Sequence, residues 1–260
     1  MDSPIVTLIT DWGDRDFFAG KVKGKLYSYI PGVKVVDITH NIDPFQSLKA
    51  IFVAQNACMD FPKGTIHIID VNSSETAETP FVVVEYKEHF FICIDNGMPG
   101  AIFGRDYTRA VMVDVPQETD FFTFAAADLF CKVASMLAQG ASLDDIGSQY
   151  ELDIRTPLLT DVSSDVIKVP VIHVDIYGNA YLNMKYSEFE RLRRGRPFTM
   201  LVRETLLNKV CHSYADVRSG DLLLTVSSTG NLQVAIREGS VEQLFGLGVF
   251  HTVTITFKNN

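Results

Sequence analysis

The chain is poor in everything that would tie it to a membrane or to nucleic acid. No apolar run approaches the roughly 18 residues that a membrane-spanning helix requires. Lysine and arginine total 23 against 32 aspartates and glutamates, and no basic stripe offsets the net charge of −9. That balance argues against a nucleic-acid partner. The densest basic run, Arg191–Arg196 with four arginines, reads as a solvated turn or helix end. Cysteine is scarce and scattered. Cys58, Cys93, Cys131 and Cys211 form no CxxC pair, and three of them lie in apolar stretches, so they read as small buried hydrophobes. Internal repeats and low-complexity segments are missing, which removes solenoids and linkers from consideration. The sequence reads directly into a strand with no signal-peptide pattern, and the expected location is cytoplasmic.

What the sequence does have is a globular composition, with 47% hydrophobic and 21% charged residues over 260 positions. It also has a pattern. Four short apolar runs in the first 95 residues each stop at an aspartate: Ile5–Ile9 before Asp11, Val33–Val36 before Asp37, Ile66–Ile69 before Asp70, and Phe90–Ile94 before Asp95. Runs of this kind predict buried strands of a parallel sheet covered on both faces. In open α/β sheets, ligands bind beyond the carboxyl ends of the strands. A row of carboxylates there marks a site for something polar, cationic or rich in hydroxyls. Each aspartate taken singly could equally open a turn or cap a helix.

Helical spacing over Phe17–Ile30 and Phe45–Asp60 alternates with these strands, Phe81–Glu85 and Phe90–Ile94 read as a hairpin, and Thr123–Gln139 reads as one long helix stopped by Gly140. The alternation predicts an α/β domain with a mostly parallel central sheet over residues 1–160. From Ile167 the pattern changes to short β runs: Lys168–Asp175, Ala180–Asn183, Phe198–Val202, Asp221–Ser227, Leu232–Ile236 and Phe250–Phe257. These predict a smaller all-β domain, barrel- or sandwich-like, over residues 166–260. The expected boundary lies in Asp153–Asp165.

Two segments of the β half carry chemistry. In Asp175-Ile176-Tyr177-Gly178-Asn179 the glycine permits a tight turn, the tyrosine offers a flat face, and the asparagine amide presents a donor and an acceptor. Pattern alone favours a plain hairpin turn built from Gly-Asn. The second segment is Ser227-Ser228-Thr229-Gly230-Asn231-Leu232, leading to Gly239-Ser240.

Together with Thr10-Asp11-Trp12-Gly13, Val36-Asp37-Ile38-Thr39-His40, Phe61-Pro62-Lys63-Gly64-Thr65 and Asp95-Asn96-Gly97, these segments resemble the S-adenosylmethionine hydroxide adenosyltransferases. That family includes the related fluorinases and chlorinases, and the likeness runs over nearly the whole chain. It implies an α/β domain followed by a β domain, a homotrimer with sites between subunits, S-adenosylmethionine as substrate or ligand, and no required cofactor. Carried over by motif, Asp11 would take the ribose hydroxyls, and Phe45 would lie near the sugar and sulfonium. Asp175 would meet the methionine ammonium, Tyr177 would stack on adenine, Asn179 would read the adenine edge, and Ser228 would contact the methionine carboxylate.

The chain departs from the pattern at the reactive centre. The hydrolytic members look as though they depend on an Asp, an Arg and a His. Here the Asp is Asp70, but no Arg or Lys occurs between Lys63 and Lys87, and the His-Gly-Arg expected after Thr123-Phe124 reads Ala125-Ala126-Ala127. The serine of a halide site falls at Ala126. Three readings follow. The first is hydrolysis of S-adenosylmethionine to adenosine and L-methionine, with Asp70 acting beside an unidentified partner. The second is a non-catalytic module that binds S-adenosylmethionine or adenosine. The third is a metal-dependent hydrolase built on Asp11, Asp37, His40 and Asp70.

Overall fold

Strict alternation along the first strands decides which side chains meet the helices and which reach the strand ends. The computed structural model describes residues 3–117, 119, 123–154, 160–163 and 165–258. The chain divides into two compact units, Met1–Thr156 and Pro157–Asn260. The expected boundary segment falls partly outside the described residues, at 155–159 and 164.

In order, the first unit contains β1 (Ile5–Thr10), α1 (Phe18–Tyr29), β2 (Lys34–Thr39), α2 (Ser47–Ala57), β3 (Ile66–Asp70), β4 (Phe81–Tyr86) and β5 (His89–Ile94). These are followed by α3 (Met98–Phe103), β6 (Arg109–Val113), α4 (Leu129–Ala138) and β7 (Gly147–Gln149). Its sheet has the order β2-β1-β3-β5-β4-β6-β7. The half holding β2, β1, β3 and β5 is parallel, whereas β4, β6 and β7 pair antiparallel, so the sheet is mixed. Alternation sends Val6, Leu8, Ile66 and Ile68 to one face, where they join Val22 and Leu26 of α1 and Phe130 and Val133 of α4. Ile9, Ile69, Phe91 and Cys93 go to the other face, with Ala50, Ile51 and Ala54 of α2. Both layers are the product of period-2 strands facing period-3.6 helices.

Three features differ from the sequence reading. β2 is an edge strand with largely exposed residues, because it has a neighbour on one side alone. Asp37 therefore lies inside a strand rather than beyond its end, bonded to Lys23. The segment after Thr123 is not one helix: a 3-10 turn at Ala125–Ala127 precedes α4, and the break falls at Asp128. The Asp128 side chain accepts from Thr119 Oγ1 at 2.8 Å and lies 3.7 Å from the Lys25 ammonium. Finally, α3 forms across Pro99-Gly100, where proline suits a first turn. A Cβ at Gly100 would stand 2.1 Å from the Asp153 carbonyl oxygen.

The second unit holds β8 (Asp161–Val162), β9 (Val166–Val174), β10 (Ala180–Lys185), α5 (Tyr186–Arg193), β11 (Phe198–Val202) and β12 (Thr205–Leu207). It continues with β13 (Val210–Cys211), β14 (Leu222–Val226), β15 (Asn231–Ile236), α6 (Val241–Phe245) and β16 (Thr252–Phe257). One curled sheet runs β12-β11-β16-β9-β10-β15-β14-β13, with β8 on β9. Inward residues of β9, β10, β11, β15 and β16 share one apolar core with Phe189 of α5. Arg191 and Arg193 occupy the last turn of α5, where cations complement the helix dipole. An α/β unit followed by a smaller β unit is the architecture the sequence implied. Among the described residues, no helix is long and apolar enough to cross a membrane.

Candidate functional site

Register brings two of the four strand-end aspartates together. Thr10 and Asp70 are paired residues of β1 and β3, so Asp11 and Asp70 both emerge at the carboxyl edge of the parallel half. They line a cavity of 690 Å³ with Trp12, Phe18, Phe45, the loop 72–75 and Thr123–Ala125. Asp37 and Asp95 do not line it. Asp95 accepts hydrogen bonds from the backbone N–H of Gly97 at 3.2 Å and of Asp153 at 3.0 Å, which makes it a tether for the 150–153 segment. Its neighbour Asn96 braces the cavity loop by donating to the Asn72 carbonyl at 3.3 Å.

Asp11 holds backbone. Its Oδ2 accepts from the N–H of Phe45 at 3.0 Å and of Asn72 at 3.2 Å. Both of those residues have a left-handed backbone, φ 68° and 50°. Positive φ costs about 1–2 kcal/mol for a residue with a Cβ, and the shared carboxylate is what holds the two loops there. The result leaves the Phe45 ring 73% exposed at the cavity rim.

Asp70 is buried, at 4% exposure. The Trp12 indole N–H donates to its Oδ2 at 2.7 Å, and the Ser73 hydroxyl donates to its Oδ1. Burial pushes the carboxyl up to about 6, opposed by the two hydrogen bonds and assisted by the charge of Asp11. Trp12 is itself fixed, stacked on His40 with centroids 5.7 Å apart and edge-on to Phe124 at 5.1 Å. His40 is anchored through Nδ1 to Thr10 Oγ1 at 2.7 Å, while its Nε2 lies 3.1 Å from Asp37 Oδ1 without hydrogen-bond alignment. Ala125, Ala126 and Ala127 are all buried and join the α1–α4 core. Among the described residues, no Lys, Arg or His lines this cavity, whose ionisable groups are Asp11, Asp70 and Glu75.

The metal reading gains no geometry. Among the described residues, no three His, Cys, Asp or Glu groups gather to hold an ion. His40 is a structural histidine under Trp12. The cysteines are buried, and burial pushes the Cys58 and Cys131 thiols up to about 12.

In the second unit, Asp175, Tyr177 and Asn179 share a cavity of 560 Å³ with Tyr181, Tyr214, Ile236, Glu238 and Gly239. Asp175 follows β9 and organises the turn before β10. Its Oδ1 accepts from the N–H of Tyr177 at 2.9 Å and of Asn179 at 3.0 Å, and its Oδ2 accepts from Asn179 Nδ2 at 3.0 Å and Tyr181 OH at 3.3 Å. Asn179 is buried, whereas Tyr177 is 76% exposed with its ring free to cover a ligand. Gly178 is required here: its φ is 79°, and a Cβ would stand 1.9 Å from Ser240 Oγ. Tyr181 is pushed up to about 12 by burial and by Asp175. Tyr214 OH donates to the buried Gln233 at 2.7 Å. Ser228 is exposed and does not line this cavity. It belongs to the β14–β15 turn, at the other end of β15 from Ile236.

Trp12, Tyr181 and Tyr214 were not singled out as site residues by sequence. Trp12 carried a signal as the lone tryptophan beside Asp11. Tyr214 carried none, because its closeness to Asp175 is a product of the curled sheet.

Residues 6–147 match the family model described as the SAM hydroxide adenosyltransferase N-terminal domain, and residues 169–254 match the corresponding C-terminal domain. The chain is 28% identical over 261 residues to the (R)-S-adenosyl-L-methionine hydrolase of Salinispora tropica, covering 94% of this chain and 95% of that one. It is 22% identical to a fluorinase of an Actinoplanes species, with 98% of each chain covered. A solved structure of a conserved protein from Thermotoga maritima superposes with a TM-score of 0.87 at 24% identity, over 97% of this chain and 99% of that one. At that identity the likeness speaks for the fold.

Proposed function

The chain belongs to the SAM hydroxide adenosyltransferase family, and on that premise we propose that it binds S-adenosylmethionine and hydrolyses it to adenosine and L-methionine. The observation that carries the reading is Asp70, a buried carboxylate at the edge of a 690 Å³ cavity with its carboxyl raised to about 6. A base is most useful when its pKa lies near the working pH. Asp70 would accept a proton from water as the water oxygen bonds to C5′ of the ribose. The C5′–S bond breaks, and its electron pair returns the sulfonium to the neutral sulfur of methionine. The proton then leaves Asp70 for solvent.

The acidic lining suits a cationic sulfonium, and the exposed Phe45 face adds cation–π attraction. Asp11 keeps its place as the ribose contact, presenting a carboxylate already oriented by Phe45 and Asn72. In the second unit, Tyr177 would stack on adenine and Asn179 would read its edge. Asp175 would receive the methionine ammonium, and Ser228 the carboxylate. A homotrimer, cytoplasmic location and independence of any cofactor belong to the same proposal, and light scattering checks the first.

A second reading has its own observation. With Ala125–Ala127 packed into the core and no cation lining the cavity among the described residues, little would stabilise hydroxide. Removing one such electrostatic group costs about 10²–10³ in rate. Binding without turnover is the outcome that this predicts. Incubation with S-adenosylmethionine, read by chromatography for adenosine and methionine beside calorimetric binding, decides between them. Product that disappears in Asp70→Asn supports hydrolysis; binding without product sinks it.

A further inference from the structure

The hydrolytic reading leaves open how a proton reaches Asp70. One carboxylate oxygen, Oδ2, is committed to the Trp12 indole at 2.7 Å, and an indole N–H donates but cannot accept, so it cannot relay a proton. The other, Oδ1, carries the Ser73 hydroxyl. Ser73 lines the same cavity and is only partly buried, whereas Asp70 is almost wholly so. A hydroxyl is both donor and acceptor, so Ser73 can give its proton to Oδ1 while taking one from a water in the cavity. The loop that carries it is braced independently: Asn72 is held by Asp11, and its carbonyl by Asn96.

We propose that Ser73 is a catalytic residue of this chain, the hydroxyl that passes the proton of the attacking water to Asp70. The inference rests on the hydrolytic reading above. As the water oxygen bonds to C5′ and the C5′–S pair departs with sulfur, the water proton moves to Ser73 Oγ and the serine proton to Asp70 Oδ1. Serine ends neutral, and Asp70 returns its proton to solvent. Among the described residues, the groups near this pair are Asp11 at the end of β1, Glu75 in the same loop, His40 beneath Trp12, and the neutral Cys131 of α4.

The molecule supplies its own reporter. Trp12 is the single tryptophan of the chain and donates directly to Asp70, so intrinsic fluorescence against pH follows that carboxyl. The experiment compares wild type, Ser73→Ala and Ser73→Thr for adenosine release from S-adenosylmethionine and for the fluorescence midpoint. Ser73→Ala should lower kcat by about 10²-fold with KM unchanged, and Ser73→Thr should restore most of the rate. Because the serine bond favours the ionised form, the fluorescence midpoint should rise in Ser73→Ala and return in Ser73→Thr. An active wild type with an equally active Ser73→Ala overturns the relay alone, and so does a midpoint that does not move. A wild type that binds S-adenosylmethionine by calorimetry and releases no adenosine overturns both the relay and the hydrolytic reading.

Discussion

The two cavities are built around aspartates that are held in opposite ways. Asp175 is satisfied by its own neighbourhood: two backbone N–H groups of the next four residues, the Asn179 amide and Tyr181. Asp70 receives nothing from its own turn's backbone. Its donors are two side chains, Trp12 from 58 residues away and Ser73, and it is buried. A carboxylate wrapped in local amides is fixed in place, here shaping the turn that presents Tyr177 and, in the proposed function, facing the methionine ammonium. One held in low dielectric by two side-chain donors stays able to exchange a proton. Under the proposed function, that difference would give recognition to the second cavity and chemistry to the first.

The largest test of that division is kinetic. Asp70→Asn should cut adenosine release by about 10²–10⁴-fold with affinity for S-adenosylmethionine retained. Tyr177→Ala should do the reverse, weakening binding roughly tenfold through lost stacking with kcat held. Finding the two effects exchanged would break the comparison.

Next come the two ends of β3, which should respond to pH with opposite sign. His67 shares a buried chain from Thr7 Oγ1 at 2.7 Å to His89 at 3.1 Å, and burial pushes it from 6.5 down to about 3. The native state thus refuses a proton that the unfolded chain accepts. The contribution is complete above pH 6.5 and is lost as pH falls toward 3, by roughly 2 kcal/mol at about pH 5. His67→Gln should flatten that acid limb in thermal melts. Asp70 is raised from 3.8 to about 6, so its contribution is full below 3.8 and lost as pH rises through 6. Asp70→Asn should therefore raise Tm at neutral pH, by up to about 3 kcal/mol in stability, and leave it unchanged near pH 3.8.

Smaller effects probe the scaffolds. Gly178→Ala should cost roughly 1–3 kcal/mol, through its φ of 79° and the Ser240 contact. It should weaken ligand binding but leave the Trp12 fluorescence titration unmoved. Phe45→Gly should stabilise the fold by about 1 kcal/mol while lowering affinity, because the strained backbone at φ 68° is kept for the ring it presents. A melt and a calorimetric titration of each variant check both.

Much of the fold was legible because period-2 and period-3.6 patterns are local. β1, α1, β3, β4, β5, β9, β15 and β16 lie within a few residues of where the apolar runs placed them. α3 escaped notice because Pro99-Gly100 reads as a breaker, and the Gly100 contact that explains it comes from Asp153. The Thr123–Gln139 segment reads as too long a helix because apolar spacing continues through the 3-10 turn at Ala125–Ala127 and cannot register the break at Asp128.

The strand-end aspartates show where the same boundary falls for the site. Sequence by itself determined that carboxylates stand near the ends of short buried strands, that the basic groups of the family pattern are missing, and that an Asp-to-Asn turn opens the β half. The resemblance already set Asp11 and Asp70 apart; tertiary structure put these two on one cavity, with Asp37 on an edge strand and Asp95 under the 150–153 segment. It also set Trp12 and Ser73 on the two oxygens of one buried carboxylate. Residue types and spacing are properties of the chain. The proton affinity of Asp70 depends on which distant groups reach it and how much water is excluded, and packing decides both.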